Sequence, residues 1–132
     1  MLELLNPPHW PAPRGYTNCI VARGDLVFVA GQVGWTPDGK FPAKDTAGQL
    51  RQTLINIRDA LAPSGARLTD IVRLTWYVTD KAEYLATIKE VGAAYREIMG
   101  KHYPAMSVVE VKALVESEAK LEIEATAVVP RA

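Results

Sequence analysis

The chain of 132 residues reads as a single α+β domain in which two helices cover one face of a sheet. Three observations predict this. Two stretches carry apolar residues at helical spacing, several shorter ones read as strands, and no third helical stripe is present to cover the sheet's second face.

Taken in order, residues 1–15 form an extended, proline-rich N-terminal segment: four of the nine prolines lie between Pro7 and Pro13, around His9 and Trp10. Proline fixes φ and removes a backbone donor, so such a segment runs over the surface of something larger. Thr17 to Ala30 reads as a hairpin, with Cys19-Ile20-Val21-Ala22 and Leu26-Val27-Phe28-Val29 joined through Arg23-Gly24-Asp25. Pro37-Asp38-Gly39-Lys40 is a turn. Thr46 and Gln49 have capping-box spacing, and Leu50, Leu54, Ile57 and Leu61 give the first helical stripe, ended by Pro63 and Gly65.

Ile71 to Thr79 alternates, with Val72, Leu74, Trp76 and Val78 on one face and Arg73, Thr75 and Tyr77 on the other. Asp80 caps a second helix with the stripe Tyr84, Ile88, Val91, Tyr95 and Ile98, stopped at Gly100. Two last strands run from about Met106 to Val115 and from about Lys120 to Val129. The face left without helices carries Glu122, Glu124 and Thr126, too mixed for a core and too β-branched for plain solvent. We read it as packing against other copies of the chain.

Composition narrows the function classes. Lysine plus arginine balance aspartate plus glutamate at 15 each, which gives a nucleic-acid or anionic-membrane partner little electrostatic basis. Cys19 is the only cysteine, so no internal disulfide forms. With neither a signal peptide nor an apolar run of membrane-spanning length, the expectation is a cytoplasmic protein. His9, His102 and Cys19 lack metal-ligand spacing, and there is no phosphate-binding glycine loop or nucleophile elbow, so no metal or other cofactor is expected.

Gly15-Tyr16, Phe28-Val29-Ala30-Gly31-Gln32, the helix around Asn56, Tyr77-Val78-Thr79-Asp80, Pro104-Ala105-Met106-Ser107-Val108-Val109-Glu110-Val111 and Leu121-Glu122-Ile123-Glu124-Ala125 follow one another in an order and spacing that resembles the Rid (YjgF-like) family. The likeness covers nearly the whole chain and makes 1–132 one RidA-like domain. It implies a chorismate-mutase-like fold with a mixed sheet, a homotrimer closed around a central barrel, and a cleft for a small molecule at each subunit interface. Subunit packing would then cover the open sheet face. Some family members are described as ribonucleases, but the sequence offers neither paired acid and base groups nor a basic groove for that work.

In the deaminase branch of the family, an arginine two residues after the proline of a Pro-Ala-Arg-Ser motif grips the carboxylate of a 2-imino acid. Met106 occupies that position here. The resemblance assigns the remaining roles one by one. Tyr16 is the N-terminal loop tyrosine, Glu122 the glutamate that positions or activates water, and Gly31 the glycine beside the ligand. Ala30 stands where a serine is usual, and Val108 lies two residues past the arginine position.

A thioether offers polarisable apolar surface where a guanidinium would offer two parallel charged hydrogen bonds. Arg14, two residues before Tyr16, is the candidate for a cation arriving from another direction. Trp35 is either a core plug or an aromatic wall of the cleft. Two readings stay open: a hydrolytic deaminase or related hydrolase of enamine- or imine-type substrates, with specificity altered at Met106, and a non-catalytic trimer that binds or senses a small metabolite.

Overall fold

A computed structural model describes residues 2–131. Six strands and three helices follow in the order β1 (Leu2–Leu5), β2 (Cys19–Ala22), β3 (Asp25–Gln32), α1 (Thr46–Leu61), β4 (Ile71–Val78), α2 (Lys81–Ala86), α3 (Ile88–Met99), β5 (Ala105–Glu110) and β6 (Leu121–Val129), with single 3₁₀ turns at Ala62–Ser64 and Leu68–Asp70. The main sheet has the order β3-β6-β4-β5, in which only β4 and β5 run parallel. The sheet is therefore mixed, as expected. A parallel neighbour needs a crossover, and α2 with α3 supplies it.

The core lies between this sheet and helices α1 and α3. Leu50, Leu54, Ile57 and Leu61 of α1 are fully buried. They meet Val91, Ala94, Tyr95 and Met99 of α3, Leu74, Trp76 and Val78 of β4, and Leu121, Ile123, Ala125 and Ala127 of β6. Strand alternation sends Arg73, Thr75 and Tyr77, together with Glu122, Glu124 and Thr126, to the opposite face. Phe28 on that face is 75 % exposed and Leu26 62 % exposed. Two large apolar side chains thus stand open beside the polar groups of this face.

Four local expectations are corrected. The hairpin does not form: β2 pairs antiparallel with β1, and β3 pairs with β6. Thus the N-terminal segment contributes a strand before its prolines, and Gly24-Asp25 carries the chain from the small sheet into the large one. The first helix is capped by Asp45, whose carboxylate accepts from the Gly48 amide at 3.2 Å. Thr46 instead donates to Glu83. The buried Gln49 donates to the Ala43 and Glu118 carbonyls and accepts from the Lys120 amide.

The second helix is two helices, broken at Thr87, whose hydroxyl donates to the Glu83 carbonyl. The strand expected to reach Val115 ends at Glu110.

Glu83 joins three elements. Its carboxylate accepts from Lys120 Nζ at 2.7 Å and from the Thr46 hydroxyl, and these hydrogen bonds, Lys120 first, lower its pKa below the ordinary value of 4.5. A lowered carboxylate pKa stabilises the fold above the unfolded-state value, and that contribution is lost as pH falls through the folded value. Glu83→Gln should accordingly cost about 1–2 kcal/mol at pH 7, a few degrees in Tm. Thermal melts from pH 7 to pH 3 should show the gap to wild type closing below about pH 4.5. A gap that persists at pH 3 would mean the network acts through shape rather than charge.

Candidate functional site

The site begins with how the N-terminal loop is fastened. The Thr17 amide donates to the Pro104 carbonyl at 3.2 Å, and its hydroxyl donates to the Tyr103 carbonyl at 2.5 Å. This pins Arg14, Gly15 and Tyr16 against the start of β5. In the parallel register Met106 lies opposite Leu74 and Val108 opposite Trp76, so both side chains stand on the helix side of the sheet. There they meet α2 and α3 across a cavity of about 430 Å³. That volume suits a small-molecule ligand.

Besides Tyr16, four aromatic rings that touch one another in turn line it. Tyr84 meets Trp76 edge-on at 6.3 Å between centroids, Trp76 stacks on Tyr95 at 6.1 Å, and Tyr95 stacks on Tyr103 at 5.2 Å. Trp76 is only 3 % exposed, and its indole N–H is buried without an acceptor. Burial raises the pKa of Tyr84, and burial, then the neighbouring Tyr103, raises that of Tyr95, so both phenols stay neutral at ordinary pH. Tyr95 donates its hydroxyl to the His102 carbonyl at 2.7 Å, and the His102 ring contacts the Ile71 carbonyl at the same distance, which gives this histidine a structural task. The charged residues on the cavity wall are Arg14 and Arg96. Both are exposed, and among the described residues neither is in an ion pair.

The other expected site residues lie elsewhere in the protomer. Glu122 sits opposite Tyr77, one residue on from Trp76, and therefore on the other face of the sheet from Met106 and Val108. Gly31 lies directly over it: a Cβ built at Gly31 would stand 2.1 Å from Glu122 Oε2. The register of β3 against β6 slips between Val29 and Gln32, and this irregularity brings Ala30 and Gly31 to that place. Alongside, Tyr77 donates to Glu124 at 2.8 Å, and this bond raises the tyrosine's pKa.

Trp35 belongs to neither group. It leans on Phe41 at 6.0 Å, in the small cluster of Val33, Phe41 and Ala119, and its carbonyl accepts from the Asn56 amide at 2.7 Å. The sequence-derived set thus divides into two halves. Tyr16, Arg14, Met106 and Val108 form one, and Gly31, Ala30 and Glu122 the other. A sheet separates them.

Sequence reasoning missed the cavity's own wall. Tyr84, Ile88, Val91 and Tyr95 read as a helical core stripe, and Trp76 as a strand's greasy face; all five also line the cavity. The available signal was an excess of aromatic residues for so small a core, next to Arg96 at i+4 from Gly92. Among the described residues no group of three or more His, Cys, Asp or Glu is placed to hold a metal ion, and no helix is long and apolar enough to cross a membrane.

Against known proteins, residues 9–129 match the family model described as Endoribonuclease L-PSP. The 2-iminobutanoate/2-iminopropanoate deaminase of Escherichia coli K12 is 36% identical over 109 residues, covering 80% of each chain. Among solved structures, a Rid-family protein of unknown function from Yersinia pestis, YyfB, superposes with a TM-score of 0.86 at 28% identity, covering 97% of this chain and 98% of its own. Escherichia coli TdcF with bound serine superposes with a TM-score of 0.69 at 34% identity, over 83% and 84%.

Proposed function

This chain belongs to the Rid (YjgF-like) family, and on that premise we propose that it assembles as a homotrimer whose intersubunit clefts hydrolyse a small imine or enamine. One observation carries the reading. The two halves of the expected site lie on opposite faces of a single sheet, so one protomer cannot bring Met106 and Glu122 to the same ligand. A second copy, its β3–β6 edge set beside the first copy's β5, supplies Gly31 and Glu122 to a cleft that already holds Tyr16, Met106 and Val108. The exposed Phe28 and Leu26 would be covered in the same step. The deaminase named among the relatives, and the serine bound by another, support a small metabolite as occupant. Retention in a reducing cytoplasm remains our expectation, on the lone Cys19.

The chemistry is a hydrolysis. Water oxygen attacks the imine carbon while the C=N electron pair moves to nitrogen. Glu122 takes a proton from the attacking water and returns it to nitrogen. It then takes the hydroxyl proton of the carbinolamine and passes it to the amine, so that the C–N bond breaks, ammonia leaves and the C=O bond forms. Tyr16, 41 % exposed and held by the Thr17 bonds, orients the substrate from the loop. A second reading, a trimer that binds a metabolite without turning it over, is favoured by one residue: Met106 has no charge with which to hold a carboxylate during reaction.

Ammonia release from freshly generated 2-iminobutyrate separates the two, with the mass in solution measured by light scattering. For the enzyme, Glu122→Ala should lower turnover by roughly 10²- to 10⁴-fold without changing the trimer mass. If wild type and Met106→Arg are both inert while the trimer binds small acids, the binding reading takes its place. A monomer in solution would overturn the shared cleft altogether.

A further inference from the structure

We propose that the cavity between β5 and α3 is a side-chain subsite for an anionic substrate with a ring-sized apolar body, and that Arg96, with Arg14, meets its negative charge in place of an arginine on β5. The inference rests on the cleft described above and adds the substrate class. Three features of the cavity point the same way.

Its depth is apolar and aromatic. The rings of Trp76, Tyr95 and Tyr103 stack in turn, Tyr84 meets Trp76 edge-on, and Met106 closes the strand side with a flexible, polarisable thioether. Such a wall favours apolar, edge-on and sulfur–ring contact with a ring-sized ligand group. Its mouth is cationic. Arg14 and Arg96 are the charged groups on the wall, no carboxylate shares it, and among the described residues neither guanidinium has an ion-pair partner.

The room is made by a glycine. A Cβ at Gly92 would meet a single group within 4 Å, Arg96 Nη1 at 3.3 Å, so a glycine here answers no packing need other than leaving space beneath the Arg96 guanidinium. A 2-imino acid bearing an aryl or branched side chain fits all three. Its side chain goes inward, its carboxylate faces the arginines, and its imine carbon lies at the level of Met106 and Tyr16, where the neighbouring subunit's face would approach. Arg96 is a binding residue in this account, not a proton carrier.

The test is isothermal titration of the full-length protein with phenylpyruvate, with 2-oxobutyrate, which lacks the ring, and with phenylacetone, which lacks the carboxylate. The expected result is phenylpyruvate at least about tenfold tighter than either. Arg96→Gln should weaken phenylpyruvate by roughly tenfold and leave phenylacetone unchanged, a split that lost helix stability alone does not produce. Gly92→Leu, a good helix former, should exclude both ring ligands while its melting curve stays cooperative. Equal affinity for 2-oxobutyrate and phenylpyruvate, or no binding of any of the three, would overturn the subsite. Tight phenylpyruvate binding with no ammonia from any imine would sink the hydrolase reading and leave the subsite standing. Turnover of 2-iminobutyrate without ring preference would do the reverse.

Discussion

Met106→Arg is expected to invert the ligand preference of the cleft. A guanidinium at this strand position gives a small 2-oxo or 2-imino acid a bidentate partner where the thioether gives none. A buried charged pair of that kind is worth on the order of 2–5 kcal/mol, so 2-oxobutyrate should bind about 30-fold tighter or better. The same substitution pushes a long cation into a cavity already faced by Arg14 and Arg96 and packed against the core through Met106. Ring-bearing acids should therefore lose affinity as small acids gain it, and the melting temperature should fall by several degrees from like-charge crowding and lost packing. Titration of both ligand classes into both proteins reads the inversion directly. If small acids gain nothing, the carboxylate does not lie beside position 106 and the family's clamp geometry does not apply to this chain.

Much of this site was legible in the sequence because strand alternation is local. Glu122, Glu124 and Thr126 are assigned to one face by period alone, and the structure keeps them there with Arg73, Thr75 and Tyr77. The face that Met106 occupies was not legible in the same way. It follows from the register Leu74↔Met106, a parallel pairing set across two helices, and no spacing within either strand reports it.

The missing hairpin has a related cause. Cys19–Ala22 and Asp25–Gln32 have the composition of adjacent strands, but strand partners are chosen by the whole fold, and β6 outcompetes β2 for β3 with a longer ladder. Leu2–Leu5 gave little warning of a strand, having no β-branched residue. Thr46 and Gln49 show the reverse failure. Their capping-box spacing is real, yet each side chain finds a tertiary partner, and Asp45 takes over the cap. Where a polar side chain has both a local and a long-range use, sequence periodicity cannot choose between them.

The same small change at two glycines three residues apart should give opposite outcomes. At Gly31 the added methyl would collide with Glu122 Oε2 at 2.1 Å and with its carboxyl carbon at 2.9 Å. Those atoms are the free end of a flexible side chain, so the carboxylate can swing away and the backbone need not move. Folding should survive with a change of about 0.5 kcal/mol or less. Chemistry should not, because a base displaced by an ångström or more loses roughly 10²-fold in rate.

At Gly34 the methyl would meet the Gln49 carbonyl oxygen at 2.7 Å and its Cα at 2.9 Å, which is the backbone of α1 itself. Gln49 is buried and bonded to Ala43, Glu118 and Lys120, so the helix cannot shift without breaking those contacts. Gly34→Ala should cost about 1–3 kcal/mol and lower the melting temperature by roughly 3–10 °C. Melting curves and ammonia release from 2-iminobutyrate, in whichever of the wild-type or Met106→Arg backgrounds turns over, would place the two variants on separate axes. Full activity in Gly31→Ala would mean that the position of the Glu122 carboxylate does not matter, and the catalytic role argued for it would have to move to another group.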